Sequence, residues 1–208
     1  MFYLVKTPWW LRTLYPSFVW KINTSEKILY LTFDDGPHPK ATPFVLNELK
    51  KFDASATFFC IGKNVEDHPD LYNRILNEGH SVGNHTYSHY NGWWVKNDVY
   101  LKDVLKASHY IDSSLFRPPY GKITLFQARQ LPPVMKGTRV KVIMWDVVSG
   151  DFDQNVSNQQ CLENVIFNTG EGSIIVFHDS EKTFSRIEYV LPKVLDFFSK
   201  KNYRFEAL

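Results

Sequence analysis

The sequence predicts an α/β fold, a distorted (β/α) barrel of about seven parallel strands that spans the whole chain. Short apolar runs recur at a pace of about thirty residues, and segments with helical spacing of apolar residues lie between them. The strongest runs have no polar face, which is typical of parallel strands covered on both sides. No repeat, low-complexity tract or flexible linker interrupts the alternation. Such a pattern favours a parallel sheet that curls towards a closed barrel.

The first predicted strand, residues 28–33, is built from aliphatic, aromatic and β-branched side chains. It runs into two adjacent carboxylates, Asp34 and Asp35, and ends at the turn residues Gly36 and Pro37. The other predicted strands are also apolar and cover residues 56–61, 81–84, 114–117, 140–145, 173–177 and 203–206.

Helices are predicted where apolar residues recur three and four positions apart, as Val45 and Leu49 do in the first of them. Glycine and proline mark helix ends, so we expect the second helix to stop at Gly79 and the fourth to stop before Pro132-Pro133. The predicted helices cover residues 42–51, 65–77, 95–112, 124–131, 158–168 and 184–200.

Length and composition describe an ordinary globular protein with a large core. The chain has 208 residues, of which 44% are hydrophobic and 22% are charged. A net charge of +2 gives no reason to expect a nucleic-acid partner, and the two cysteines have no metal-type spacing. We expect a monomer with one domain over residues 1–208, on which an aromatic N-terminal extension, residues 1–26, is packed.

The N-terminal extension has the wrong pattern for a membrane span or a cleaved signal. Its aromatic residues are interrupted by Lys6, Pro8, Arg12 and Pro16, and no run approaches about 18 apolar residues. An apolar signal region and a small-residue cleavage site are both missing. We therefore expect a cytoplasmic or membrane-peripheral protein, in which these rings pack in the core or rest at a membrane interface.

Chemically capable side chains follow five of the predicted strands. Barrel enzymes build their active sites from the loops at the carboxyl ends of their strands. A single acidic turn after a strand would be ordinary, but polar residues at the ends of five strands indicate that they share one cleft. The residues concerned are Asp34 and Asp35, His85 and His89, Arg117, Asp146 and Asp151, and His178 and Asp179.

His85 and His89 have the spacing of a metal-binding pair. Four residues apart on a helical turn, two imidazoles lie on the same side and can hold one cation. Two histidines and one carboxylate leave coordination positions open, as a catalytic site requires. The alternative is a pair of surface histidines in a polar loop; the double aspartate favours the metal. Zn²⁺ suits this ligand set, as do Co²⁺, Ni²⁺ and Fe²⁺.

The remaining groups suit acid–base chemistry beside such a metal. One aspartate of the pair would be a ligand, and the other would take a proton from water as general base. Arg117 is suited to hold the base through a two-point guanidinium contact. His178 is able to protonate a departing amine if an acid such as Asp151 orients it.

Five ordered segments resemble the motifs of the polysaccharide deacetylase family, carbohydrate esterase family 4. The resemblance spans residues 27 to about 180, and it implies a distorted seven-stranded barrel that removes acetyl groups from N-acetylated sugars. We expect the substrate to be an N-acetylglucosamine glycan of the peptidoglycan or chitin type. The segments are TFDDGP at 32–37, HTYSH at 85–89, RPPYG at 117–121, WDVVSGDF at 145–152 and VFHD at 176–179.

The resemblance also implies roles for single residues. Asp34 takes the position of the general base and Arg117 that of its partner. Asp35, His85 and His89 take the positions of the metal ligands.

In the later motifs, Tyr120 matches the residue whose backbone N–H holds the oxyanion, and Asp151 matches the partner of the acid His178. Val148 stands where the family usually has Asp, and Phe152 where it usually has Trp. These departures bear on substrate preference more than on catalysis.

We expect the sugar to lie against Pro118, Tyr120, Phe152 and Trp93. Trp93, with its neighbour Trp94, would offer a stacking face to a sugar ring or would plug the rim of the barrel. Two alternatives stay open: an amidase or deformylase for a non-polymeric amide, and a carbohydrate-binding protein without catalysis. Release of acetate from chitooligosaccharides separates the enzyme from the binding protein.

Overall fold

The computed structural model describes residues 3–135 and 139–208 and contains one parallel sheet. Strands β5-β4-β3-β2-β1-β7-β6 follow one another in that order, and β8 pairs with the start of β1. The sheet curls into a half-barrel surrounded by helices, which confirms the predicted α/β fold. The strands are β1 Ile28–Asp34, β2 Thr57–Cys60, β3 Ser81–Asn84, β4 Leu115–Phe116, β5 Lys141–Val142, β6 Val147–Val148, β7 Ile174–His178 and β8 Arg204–Phe205.

Helices cover the outside of the sheet. Among the residues described here, no helix combines the length and the apolar character needed to cross a membrane. The helices are α1 Trp9–Leu14, α2 Ala41–Lys51, α3 Gly62–Asp67, α4 Pro69–Asn77, α5 Asn97–Ala107, α6 Leu125–Val134, α7 Asn158–Asn168 and α8 Phe184–Ser199.

The central strand β1 is buried along its whole length and shows how the fold positions polar groups. Leu29, Leu31 and Phe33 belong to the large cluster packed against the helices, whereas Ile28 and Tyr30 belong to a separate cluster. Since successive side chains of a strand point to opposite faces, Thr32 and Asp34 share the second face, towards the barrel interior.

The predicted fifth strand, residues 140–145, is wrong in extent. Pairing with β4 is limited to the two residues of β5, and the chain then turns before the unpredicted strand β6 pairs with β7. Between these strands the carbonyl groups of Ile143 and Met144 accept hydrogen bonds from the Arg117 guanidinium. The sequence predicts one strand here because the side chains of this apolar run give no sign that its carbonyls face a buried cation.

Three predicted helices also differ from the structure. The second is two helices, α3 and α4, because Pro69 disfavours helical geometry at His68, whose φ is −136°. Helix α5 is shorter at both ends than predicted. Helix α6 continues through Pro132 and Pro133, which lie in its last turn, and Met135 N–H donates to Leu131 C=O at 2.8 Å beyond them.

The N-terminal segment joins the two open edges of the sheet. It includes the unpredicted helix α1, which lies between Pro8 and Pro16. Val19 pairs with Ile143 beside β5, and Lys6 pairs with Val147 of β6. Residues 5–21 therefore bridge the gap that keeps the half-barrel from closing; residues 1 and 2 of the predicted extension lie outside the described residues.

Candidate active site

The Asp34–Asp35 pair diverges because the backbone turns between the two residues. Asp34 is the last residue of β1, whereas Asp35 has a left-handed φ of 79°. The Asp179 carboxylate accepts one hydrogen bond from Gly36 N–H at 3.1 Å and another from the Thr42 hydroxyl, and these two contacts fix the turn. A Cβ on Gly36 would lie 2.2 Å from that carboxylate, so the turn requires glycine.

Two residues that support this turn, Asp179 and Asn64, were given no role in the sequence analysis. Asp179 was one of the strand-end acids, but burial raises its pKa to about 8, and it faces the turn. Asn64, in α3, donates to the Asp35 carbonyl at 2.6 Å. Both are positioning groups, and only their place after a strand or at a helix start could have drawn attention to them.

Asp35, His85 and His89 come together as a possible metal site. Asp35 Oδ1 lies 3.6 Å from His85 Nε2 and 3.1 Å from His89 Nε2. Ligand atoms of the three residues all lie within 4.8 Å of one another. Asp35 Oδ1 is buried and has no hydrogen-bond partner among the described residues, which fits an oxygen meant for a cation.

The surroundings of His85 favour a neutral ligand. Its Nδ1 lies 2.7 Å from the Arg117 carbonyl, so Nδ1–H donates and the lone pair of Nε2 faces Asp35. Burial lowers the pKa of His85 to about 4. Burial opposes ionisation of Asp35 too, but the His89 ring and the neighbouring imidazoles outweigh it and lower the pKa of Asp35 well below its usual range.

The histidine pair does not use the helical turn that the spacing predicted. The segment from His85 to His89 is a loop, in which Thr86 has a φ of 64° and His89 a φ of 57°. Asp103, in α5, accepts the N–H groups of Tyr87 and Ser88 at 2.9 Å each and shapes the loop. The two imidazoles therefore converge through left-handed backbone residues rather than through helix periodicity.

Arg117 contacts Asp34 through one nitrogen, so the predicted two-point pairing is wrong. Its Nη1 donates to Asp34 Oδ1 and to the Thr32 hydroxyl, each at 2.7 Å. Its Nε and Nη2 donate to the carbonyls of Ile143 and Met144 at 3.1 and 2.8 Å. The wholly buried guanidinium has to satisfy all its donors, and carbonyls supply what one carboxylate cannot.

His178 and Asp151 form a closed pair on the other side of the site. Asp151 Oδ1 lies 2.8 Å from His178 Nδ1, and Asp151 Oδ2 accepts the His178 backbone N–H at 2.7 Å. Burial lowers the pKa of His178, but the charge and hydrogen bond of Asp151 outweigh burial and raise it to about 10. The Phe152 ring packs edge-on against His178 at 5.4 Å between ring centroids.

The remaining residues predicted to contact the substrate lie in the loops that follow β4 and β3. Tyr120 has a left-handed φ of 58°, and its ring lies 4.7 Å from that of His89. Pro118, two residues earlier in the same loop, is buried. Trp93 is more than half exposed and lies four residues beyond His89, on the same loop.

Asp146 does not join the cleft, contrary to the prediction. Its carboxylate is buried among groups of the N-terminal segment: Lys6 Nζ lies 2.7 Å from Oδ2, and Arg12 binds Oδ1. The Ser173 hydroxyl donates to Oδ2 at 2.6 Å. The sequence places Asp146 after a predicted strand, but in the structure it directly precedes β6 and its N–H donates to Ile174 C=O at the start of β7. Its side chain therefore lies at the amino end of these strands, where it faces the N-terminal segment.

Comparisons with known proteins agree with this geometry. The profile of polysaccharide deacetylases matches residues 21–131. A peptidoglycan-N-acetylglucosamine deacetylase of Bacillus cereus is 32% identical over 194 residues, which are 89% of this chain and 88% of the relative. A chitooligosaccharide deacetylase of Azorhizobium caulinodans is 29% identical over 170 residues, 76% of this chain and 77% of the relative.

A solved structure extends the likeness to the fold. It is the crystal structure of a peptidoglycan N-acetylglucosamine deacetylase in complex with 4-naphthalen-1-yl-N-oxidanyl-benzamide. It superposes with a TM-score of 0.85 at 31% identity and covers 97% of this chain and 95% of the other.

Proposed function

This chain belongs to the polysaccharide deacetylase family, carbohydrate esterase family 4, and on that premise we propose that it is a metal-dependent hydrolase that removes N-acetyl groups from N-acetylglucosamine glycans of the peptidoglycan or chitin type. The observation that carries the proposal is a three-residue ligand set beside a second carboxylate with an available oxygen. Arg117 binds Asp34 Oδ1, and within the described residues no hydrogen bond was found to Asp34 Oδ2.

Asp35, His85 and His89 would hold the metal ion. One carboxylate and two imidazoles suit Zn²⁺, and Co²⁺, Ni²⁺ or Fe²⁺ would also fit. A bound divalent ion supplies Lewis acidity, which polarises a carbonyl and acidifies water.

Asp34 acts as the general base through its available oxygen. It takes a proton from the attacking water at Oδ2, while the contact from Arg117 to Oδ1 fixes the orientation of the carboxylate.

His178 acts as the general acid on the far side of the acetamide. Asp151 keeps the Nδ1–H directed at itself, so the Nε2–H is left to protonate the departing amine. The Tyr120 backbone N–H donates to the oxyanion that forms on the former carbonyl oxygen. Phe152 and Pro118 wall the site, and the shape of Phe152 sets which sugar is accepted.

A non-polymeric amide or formamide is a second candidate substrate, because the same groups would serve any small acyl group. A binding protein without catalysis needs neither a base nor an acid, and both sets of hydrogen bonds are intact in this chain. We therefore favour an enzyme over a binding protein without catalysis.

We also propose one catalytic domain that includes residues 1–26, acting as a monomer at a cytoplasmic or membrane-peripheral location. Location bears on the substrate, since a protein inside the cell meets soluble N-acetylated sugars and one outside meets the wall polymer. Cell fractionation with an antibody against the chain tests this part.

Acetate release tests the proposed function. The protein is stripped of metal by a chelator, reloaded with Zn²⁺, and assayed on N-acetylglucosamine oligomers and on peptidoglycan. We expect activity to return with metal and to be absent from a His85→Ala, His89→Ala double variant, which should also lose metal content. His109→Ala, an exposed histidine away from the site, is the matched control and should keep both. Full metal occupancy in the double variant would refute the ligand set, and sugar binding without acetate release would favour the binding protein.

A further inference from the structure

The start of the N-terminal segment lies along the edge strand β6 as an antiparallel neighbour. Lys6 pairs with Val147 in this orientation. In an antiparallel pair the two chains advance in opposite directions, so this register, continued by three residues, places Tyr3 opposite Gly150. The pairing with β6 therefore decides which residue of the segment reaches the loop after β6.

The contact at Gly150 shows how closely Tyr3 fits that loop. Gly150 has a left-handed φ of 84°, and a Cβ on it would lie 2.8 Å from the Tyr3 hydroxyl oxygen and 3.1 Å from Asn164 Nδ2. Asn164, in α7, also donates to Ser149 C=O at 3.0 Å. The loop is thus contacted by both the N-terminal segment and α7, and only glycine leaves room for this approach.

The Tyr3 ring also packs against Phe152, two residues beyond Gly150. The two ring centroids are 4.9 Å apart, with an angle of 60° between the ring planes. Phe152 in turn packs edge-on against His178, at 5.4 Å between centroids. Aromatic pairs favour such edge-to-face arrangements at separations of about 4.5–7 Å. Three rings therefore form a continuous row from the N-terminal segment to the proposed general acid.

Tyr3 contacts the residues on both sides of Asp151. Gly150 precedes Asp151 and Phe152 follows it, while the Asp151 carboxylate binds both the backbone N–H and Nδ1 of His178. A shift of this short stretch would move both hydrogen bonds and, with them, the Nε2 atom that gives up the proton. The orientation of the imidazole thus depends on packing from a segment distant in the sequence.

We propose that Tyr3 is a positioning residue for the general acid, because its ring holds Phe152 edge-on against His178 and so fixes the imidazole beside Asp151. The inference rests on the proposed function, since it assumes that His178 protonates the departing amine. It gives the N-terminal segment a part in the reaction in addition to its place between the two edges of the sheet.

Two substrates separate misplacement of the acid from damage to the whole site. The amine of an N-acetylated sugar has to gain a proton when its C–N bond breaks. The phenolate of 4-nitrophenyl acetate leaves with the electrons of its C–O bond and needs no proton, although both substrates use the same metal ion and the same base. A misplaced acid therefore slows release of acetate from the amide and spares the ester.

The test measures kcat and KM of the Zn²⁺-loaded protein on the tetramer of N-acetylglucosamine and on 4-nitrophenyl acetate. We expect Tyr3→Ala to lower kcat on the amide by about 5- to 50-fold, within the cost of a small misplacement of a catalytic group. KM for the amide should change less, and the rate on the ester should stay near that of the parent. Tyr3→Phe, which keeps the ring, should keep the amide rate; a loss as large as that of Tyr3→Ala would overturn the role of the ring.

The matched control is Leu4→Ala, which removes an exposed apolar side chain from the adjacent position of the same segment. It should leave both rates at the parent level. If Tyr3→Ala does not fold, Tyr3→Leu replaces it, since leucine keeps apolar bulk at this position without the ring. Loss of the fold in both variants would overturn the inference, because Tyr3 would then serve stability alone.

A double-variant cycle tests whether Tyr3 acts through Phe152. Phe152→Ala alone should lower the amide rate, and adding Tyr3→Ala should lower it little further, because the contact between the two rings is already lost. Fully additive losses would overturn the inference.

The ring signals of ¹⁵N-labelled histidines separate the inference from the proposed function, because they report on His178 without turnover. We expect Tyr3→Ala to move the His178 signal and to leave in place that of His80, which packs near Phe58. If the parent releases no acetate but the His178 signal moves, the positioning contact is supported and the function is wrong. If the parent releases acetate, the inference is overturned and the function stands when Tyr3→Ala keeps the amide rate, slows both substrates equally or leaves the His178 signal in place. An unmoved signal in a protein that releases no acetate overturns both.

Discussion

Asp34 and Asp146 are two buried aspartates at opposite ends of strands, because Asp34 ends β1 whereas Asp146 directly precedes β6. Each is paired with basic side chains distant in the sequence. Arg117 occupies one oxygen of Asp34. Lys6 and Arg12 occupy both oxygens of Asp146. A buried carboxylate with one oxygen available can accept a proton, whereas one with both oxygens bound serves to hold the chain together.

The difference teaches that burial and an ion pair do not identify a catalytic acid. What matters is which lone pairs are left over after the protein's own donors have been counted. By the same count Asp151 has no oxygen to spare, because both bind His178, and the role we propose for it is to orient and charge that imidazole. We therefore expect substitutions at the three aspartates, or at their partners, to affect three different properties: turnover, stability and the pH profile.

The largest expected effect is on turnover, from loss of the general acid. His178→Ala should reduce the rate of acetate release by roughly 10²–10⁴-fold, the usual contribution of a positioned acid or base. Metal content, measured by mass spectrometry, should stay at the parent level because His178 is not a ligand. Activity equal to that of the parent would show that another group protonates the amine.

The next effect is on stability, at the N-terminal segment. A Lys6→Met, Arg12→Met double variant leaves Asp146 buried without a cation, which typically costs about 3–5 kcal/mol. For a chain of this length that corresponds to a fall of roughly 6–20 °C in Tm, measured by calorimetry. Lys21→Met, an exposed lysine on the same segment, is the matched control and should change Tm little. An unchanged Tm in the double variant would mean that the segment does not hold the two edges of the sheet.

The smallest effect is a displacement of the pH profile. The charge of Asp151 raises the pKa of His178, so the protonated acid persists well above neutral pH, and activity should fall only at alkaline pH. Asp151→Asn removes that charge, lowers the pKa of His178, and should move the alkaline limb of kcat to lower pH. A limb that stays in place would assign it to a group other than His178.

The sequence predicted the candidate catalytic groups and metal ligands better than it predicted the residues that support them. Asp34, Asp35, His85 and His89 lie in short motifs whose neighbours are local, and the structure brings them together. Asp146 also follows a predicted strand, yet in the structure it directly precedes β6, and its basic partners are more than 130 residues away with no local signal in the sequence.

Backbone geometry accounts for the other differences. The contacts of Arg117 with two carbonyls were not predictable, because carbonyl direction is not encoded in side-chain periodicity. For the same reason the predicted strand over residues 140–145 is longer than β5, and β6 was not predicted. The turn held by Asp179 was missed because its evidence is a close approach to Gly36, visible only in three dimensions.

The most direct test compares Asp34→Asn with Asp146→Asn in one assay of acetate release per folded molecule, together with Tm and metal content. We expect Asp34→Asn to lose roughly 10²–10⁴-fold in the rate of acetate release and to keep its metal. We expect Asp146→Asn to keep a rate within a few-fold of the parent and to have a lower Tm. Parent-level activity in Asp34→Asn, or loss of its metal, would contradict the role of Asp34 as the base, and a catalytic defect confined to Asp146→Asn would reverse the comparison.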